Sequence, residues 1–114
     1  MKKTKPKNNS DFFDKVFEIV AKIPRGKVTT YGAIAEACGI RSSARTVGWA
    51  LNMAKDSELP CHRVVNRFGA LTGKTHFGDP ELMEALLRSE GVNFDEDGNV
   101  KLGEHFWKPP KKYL

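Results

Sequence analysis

The segment from Val28 to Met53 sets the tightest limit on how this chain can fold. Val28-Thr29-Thr30 reads as short and extended, and Thr30 is a good N-cap for a helix from about Tyr31 to Cys38. Gly39 supplies the left-handed residue that closes that helix. Ser42 or Ser43 then caps a further helix from about Ala44 to Met53. Two short helices joined by a tight turn containing Gly form a helix-turn-helix pattern, in which the second helix usually lies against DNA. The same shape also serves as a plain packing unit. The composition of the second helix favours a partner. Arg45 stands in its first turn, where a cation opposes the helix dipole. Gly48 and Ala50 are small enough to let another backbone approach, and a mid-helix Gly costs about 1 kcal/mol relative to Ala.

The flanking chain supplies the core. Residues 1–9 read as a disordered basic arm, and the remaining 10–114 as a single domain. Ser10 or Asp11 is the expected cap of a helix whose Phe12, Phe13, Val16, Phe17, Val20 and Ile23 recur at three- and four-residue spacing. Pro24 and Gly26 end it. Farther on, a turn at Asn66-Arg67-Phe68-Gly69 leads into a short strand through Leu71. Asp79-Pro80 starts a helix to about Glu90 with Leu82, Met83, Leu86 and Leu87 inward, and Gly91 ends it. Val92-Asn93-Phe94 and Val100-Lys101-Leu102 flank a turn and predict a small hairpin. The Phe106–Tyr113 tail is expected to pack one or two aromatics back. The fold class is therefore α+β, mostly helical.

Between the two halves lies Leu59-Pro60-Cys61-His62-Arg63-Val64-Val65, which sets a thiol beside an imidazole. The thiolate is the nucleophile, and a neighbouring His or cation lowers the Cys pKa from its free value of about 8.5. Nucleophilic catalysis needs such a Cys, a base and a group that orients the base. Neighbours on a straight strand point to opposite faces, so Cys61 and His62 cooperate only if the backbone bends there or a water intervenes. Pro60 makes the bend reasonable. Taken alone, a Cys-His dipeptide is more often a half-buried thiol next to a polar ring.

Composition narrows the function classes. The chain of 114 residues is one domain, and it contains no apolar run of membrane-spanning length or secretory signal, so a cytoplasmic (bacterial-type cytosol or nucleoid) monomer is expected. Cys38 and Cys61 are the only cysteines, too few for a disulfide framework. The histidines at 62, 76 and 105 show no zinc-site spacing, so neither metal nor cofactor is expected. The net charge of +5 favours an anionic partner, although Lys2, Lys3, Lys5 and Lys7 of the arm supply most of the excess. Gly73-Lys74-Thr75 is not a phosphate loop, because Phe68 stands where the upstream Gly would be required.

Tyr31, Ser43-Ala44-Arg45-Thr46-Val47-Gly48, Pro60-Cys61-His62-Arg63-Val64-Val65 and Glu90-Gly91 together resemble the DNA-binding domain of the O6-alkylguanine-DNA alkyltransferases, over roughly residues 11–92. The resemblance implies a winged-helix-like helix-turn-helix domain with a short hairpin and a C-terminal helix. It implies double-stranded DNA carrying alkylated guanine as partner. Cys61 would accept the alkyl group in a single turnover, His62 would draw the thiol proton through water, and Glu90 would orient His62. Arg45 would fill the stack left by the flipped guanine, and Tyr31 would crowd the neighbouring phosphate. Gly48 and Ala50 would let the helix sit in the minor groove. Pro60, Val65 and Thr75 would line the alkylguanine pocket, with the carbonyls of Cys61 and Val65 accepting from the exocyclic amine.

This sequence departs from the enzymes in three places. Their buttressing Asn is replaced by Ala54, with Asn52 off register; their glycine-bearing lid is Gly73-Lys74-Thr75-His76 here; and Trp49 replaces a small residue on the recognition helix. The chain also has no counterpart of their separate N-terminal domain. In these respects it is similar to the alkyltransferase-like proteins, which bind the lesion without repairing it and usually carry Trp or Ala in place of the acceptor Cys. On the retained Cys61, His62 and Glu90, the sequence favours alkyl transfer to Cys61. The alternative is a non-enzymatic lesion sensor that passes O6-alkylguanine to nucleotide excision repair proteins. A third reading, a helix-turn-helix regulator with an inert Cys61, would show as a general loss of DNA affinity on Arg45 substitution.

Overall fold

The computed structural model describes residues 7–39, 44–54, 57–72 and 80–111. Helix α1 spans Lys7–Ala21 and leads to a two-residue strand β1, Thr29–Thr30. Helices α2 (Tyr31–Ala37) and α3 (Ala44–Met53) follow. A single 3-10 turn, Cys61–Arg63, runs into β2, Val64–Val65. The chain finishes with α4 (Pro80–Ser89) and the short α5 (Leu102–His105).

The caps act as the sequence predicts where they are described. The Thr30 hydroxyl accepts from the Ala33 N–H at 3.0 Å, and Gly39 closes α2 at φ +84°. The expected caps Ser42, Ser43 and Asp79 lie outside the described residues. Helix α1 begins at Lys7, so Ser10 and Asp11 lie within it rather than capping it. Lys and Asn carry no steric bar to helical backbone.

Strands β1 and β2 pair in parallel, Thr29 opposite Val64 and Thr30 opposite Val65. This ladder divides the interior. Successive strand residues face opposite ways, and accordingly Val64 joins a core built on α1, α2 and α3 while Val65 joins a second core with Val28, Met83, Leu87, Val92 and Val100. Cys61 belongs to the first core, beside Val47, Ala50 and Leu51 of α3. The C-terminal segment docks along Val28, whose N–H donates to the His105 carbonyl and whose carbonyl accepts from the Trp107 N–H. Trp107 packs against the first core, whereas Phe106 stays exposed.

Three expectations are corrected. No strand runs to Leu71, because the Asn66 carboxamide accepts from the N–H groups of Phe68 and Ala70 that a ladder would have used. The terminal hairpin contracts to one antiparallel bridge, Phe94 with Val100, and Leu102 opens α5 instead of extending a strand. Leu82 is exposed: α4 meets the second core through the row of Met83 and Leu87, a stripe too narrow to take in Leu82.

Gly69 ties the Asn66 turn to the hairpin. It sits at φ +87°, its carbonyl accepts from the Val100 N–H at 2.8 Å, and a Cβ there would fall 2.4 Å from the Val100 carbonyl oxygen. Gly69→Ala is therefore expected to destabilise the domain by about 2 kcal/mol or more, read from the urea midpoint, since left-handed strain and a backbone clash add.

Candidate nucleic-acid interface and thiol site

Helix α3 divides its side chains between two faces. Val47, Ala50 and Leu51, with Ala54 just past the helix, are buried against the core, while Arg45, Trp49, Asn52 and Met53 are exposed. Ala50, assigned to DNA contact by the resemblance, is thus turned inward with no exposed surface; its small size serves packing within the domain. Gly48 remains on the outer side, and a Cβ built on it would meet nothing within 4 Å. Packing among the described residues does not require that glycine.

The outer face of α3 forms one wall of an open groove of about 610 Å³ lined by Tyr31, Ala44, Arg45, Gly48, Trp49, Asn52 and Thr72. The fold thus brings Tyr31, Arg45 and Gly48 together although they come from two helices. Tyr31 is the first residue of α2, positioned by the Thr30 cap. Burial raises its phenol pKa; a hydrogen bond with the Thr72 side chain opposes this, and the nearby Cys61 adds to it. Tyr31 lines the groove and packs against the core cluster that contains Cys61. Trp49, Asn52 and Thr72 join the groove without having been assigned to it from sequence.

The bend expected at Pro60 is present. Pro60 precedes the 3-10 turn, the Arg63 N–H donates to the Pro60 carbonyl at 3.0 Å, and the Val64 N–H donates to the carbonyl of Cys61. One lone pair of that carbonyl is therefore used within the turn. Val65 is fully buried and paired with Thr30, so its side chain belongs to the core. Pro60 is half-buried, and Thr75 lies outside the described residues.

Cys61 is 4% exposed, and burial pushes its thiol pKa up to about 11. At neutral pH such a thiol is ionised in roughly one molecule in ten thousand. His62 is also buried, and its Nε2 lies 2.8 Å from Glu90 Oε2. Burial lowers the His62 pKa, outweighing the opposing pull of Glu90. A neutral ring facing a carboxylate must carry its proton on Nε2, which leaves the lone pair on Nδ1.

Glu90 serves a second partner. Arg63 Nε donates to Glu90 Oε1 at 3.0 Å and its Nη2 to Oε2 at 2.8 Å, while Nη1 donates to the Ile23 carbonyl at 2.7 Å. Arg63 so links the end of α1, the 3-10 turn and the end of α4. Burial works against the Glu90 carboxylate, but hydrogen bonds and charge from Arg63 and His62 overcome it and hold the pKa at about 2. The Arg63 role escapes a reading by local pattern, because its partner lies 27 residues away.

These shifts fix a pH dependence. Glu90 falls from 4.5 to about 2 on folding, so its contribution is complete above about pH 4.5 and disappears as pH falls toward about 2. His62 is lowered from 6.5, so protonation favours the unfolded chain and a first loss begins below about pH 6.5. The urea midpoint, followed from neutral pH to pH 2, is expected to decline in those two stages.

Among the described residues no group of three or more His, Cys, Asp or Glu side chains could hold a metal ion, and no helix is long and apolar enough to cross a membrane.

The architecture is that of an α+β helix-turn-helix DNA-binding domain. Residues 11–92 match the family model of the 6-O-methylguanine DNA methyltransferase DNA-binding domain, and the chain belongs to that family. It is 37% identical over 99 residues to a DNA base-flipping protein of Vibrio parahaemolyticus, spanning 86% of this chain and 97% of that one. It is 36% identical over 104 residues to alkyltransferase-like protein 1 of Schizosaccharomyces pombe, spanning 87% and 96%. The crystal structure of S. pombe Atl1 in complex with damaged DNA containing O6-carboxymethylguanine superposes with a TM-score of 0.75 at 35% identity, covering 88% of this chain and 97% of that one.

Proposed function

We propose that this protein binds duplex DNA through the outer face of α3, turns an O6-alkylated guanine out of the stack and holds it without repairing it. The lesion would then pass to another pathway, nucleotide excision repair being the one suited to a bound, bulky mark. The observation that carries this reading is the groove itself. It brings Arg45, the bare backbone of Gly48 and Tyr31 into one groove, as a protein that replaces a flipped base requires, while burial pushes the Cys61 thiol pKa up. Similarity over nearly the whole length to a base-flipping protein and to an alkyltransferase-like protein supports the same reading, and moves the preference away from the alkyl transfer favoured by sequence alone. Competition binding with two duplexes differing only in one O6-methyl group tests it. The modified duplex is expected to bind about tenfold or more tightly; equal affinity would refute lesion recognition.

One observation favours alkyl transfer as the second reading: Cys61 is retained next to a neutral His62 held 2.8 Å from Glu90. In that chemistry Sγ attacks the alkyl carbon, the carbon–oxygen bond breaks, and its electron pair stays on the guanine oxygen. The thiol proton would leave through a water toward His62 Nδ1.

A further inference from the structure

Trp49 and Met53 are large apolar side chains with 59% and 71% of their surface exposed, one helical turn apart on the outer face of α3. Arg45 lies one turn before Trp49, so the three form a row along the helix, and Trp49 shares the groove with Tyr31 and Arg45. Beside the indole is Gly48, whose missing side chain leaves open space. Glycine at that position weakens the helix, and no contact among the described residues accounts for it. Bare backbone at Gly48 and an exposed indole at Trp49 lining one open groove suit a partner outside the domain. A cation at one end of the row and apolar surface at the other fit a duplex, which offers phosphates at its rim and sugar and base faces within.

We infer that Trp49, with Met53 behind it, is a DNA-contacting side chain that lays its indole on a sugar or base face next to the position reached by Arg45. This rests on the proposed DNA-binding function and adds to it a contact that releases no counterions. Affinity therefore has a component that salt does not remove, whereas charge-led contacts weaken steeply with salt. Aromatic contact with bases tolerates sequence, so Trp49 strengthens binding to modified and unmodified duplexes alike.

The test compares wild type, Trp49→Ala and Arg45→Ala on modified and unmodified duplexes over a series of salt concentrations, with tryptophan emission recorded at saturation. Trp49→Ala is expected to bind both duplexes about tenfold more weakly with an unchanged salt slope. Wild-type emission is expected to change on binding, while Trp49→Ala, which keeps only Trp107, shows no change. Unaltered affinity and unaltered Trp49 emission, in a wild type that still binds DNA, would overturn the inference and leave the proposed function standing. Dispersal of a dimer by Trp49→Ala without loss of DNA affinity would also overturn it, assigning the face to a second copy. A wild type that binds neither duplex would instead remove the reading on which the inference rests.

Discussion

Glu90→Gln is expected to destabilise the domain by about 3 kcal/mol, the scale found when one partner of a buried ion pair is removed. The side chains of Glu90, His62 and Arg63 are only 5%, 10% and 15% exposed, so water cannot replace the lost carboxylate. Gln keeps the shape and one acceptor oxygen, but it cannot receive both arms of Arg63 and His62 as an anion. The Arg63 guanidinium would be left in the interior without its counter-charge, next to an imidazole that burial already keeps neutral. For a chain of 114 residues this corresponds to a fall in Tm of roughly 10 °C or more. The variant should also lose the acid transition between about pH 4.5 and 2, since the group responsible for it is gone. Thermal and urea unfolding at neutral pH and at pH 3 check both statements. A variant as stable as wild type would show that the three-way bond contributes nothing to folding, leaving Glu90 to serve His62 alone.

Arg45→Ala is expected to cut the preference for an O6-alkylguanine duplex over its unmodified counterpart by about tenfold or more, while binding to unmodified DNA falls only a fewfold. Arg45 is exposed in the first turn of α3, where the helix dipole disfavours it. Its removal should therefore leave the fold unharmed, and unfolding measurements provide the control. A side chain that fills the gap left by a rotated base acts only when a base has rotated, which is why preference is lost more than affinity. A side chain that merely neutralises a phosphate would weaken both duplexes equally and shallow the salt slope. Paired titrations on the two duplexes separate the cases, and equal loss on both would return Arg45 to simple electrostatics.

Much of this arrangement was legible in the sequence where a local signal fixes backbone direction. Thr30 and Gly39 bound α2, and Pro60 marks the bend that carries Cys61 and His62. The misreadings have physical causes. Small size and the family resemblance both point Ala50 outward, yet it lies in a row with Val47, Leu51 and Ala54, all of them buried. Asn66 diverted the expected strand by satisfying backbone donors with its own side chain. Leu82 looks like core by residue type, but α4 touches the interior through a single narrow row. Arg63 could not be assigned by pattern, because its bonds reach back to Ile23 and forward to Glu90 and so depend on packing between distant segments. Chemistry and recognition are not separated by local sequence pattern. Read locally, Cys61 beside His62 points to transfer, whereas burial of Cys61 is a property of the folded site.

The most direct test is the intact mass of the protein after incubation with a duplex carrying O6-methylguanine, at concentrations where the complex is saturated. An unchanged mass alongside lesion-preferring binding is the predicted result. A gain of one methylene, absent from Cys61→Ser, would contradict it and establish Cys61 as an acceptor.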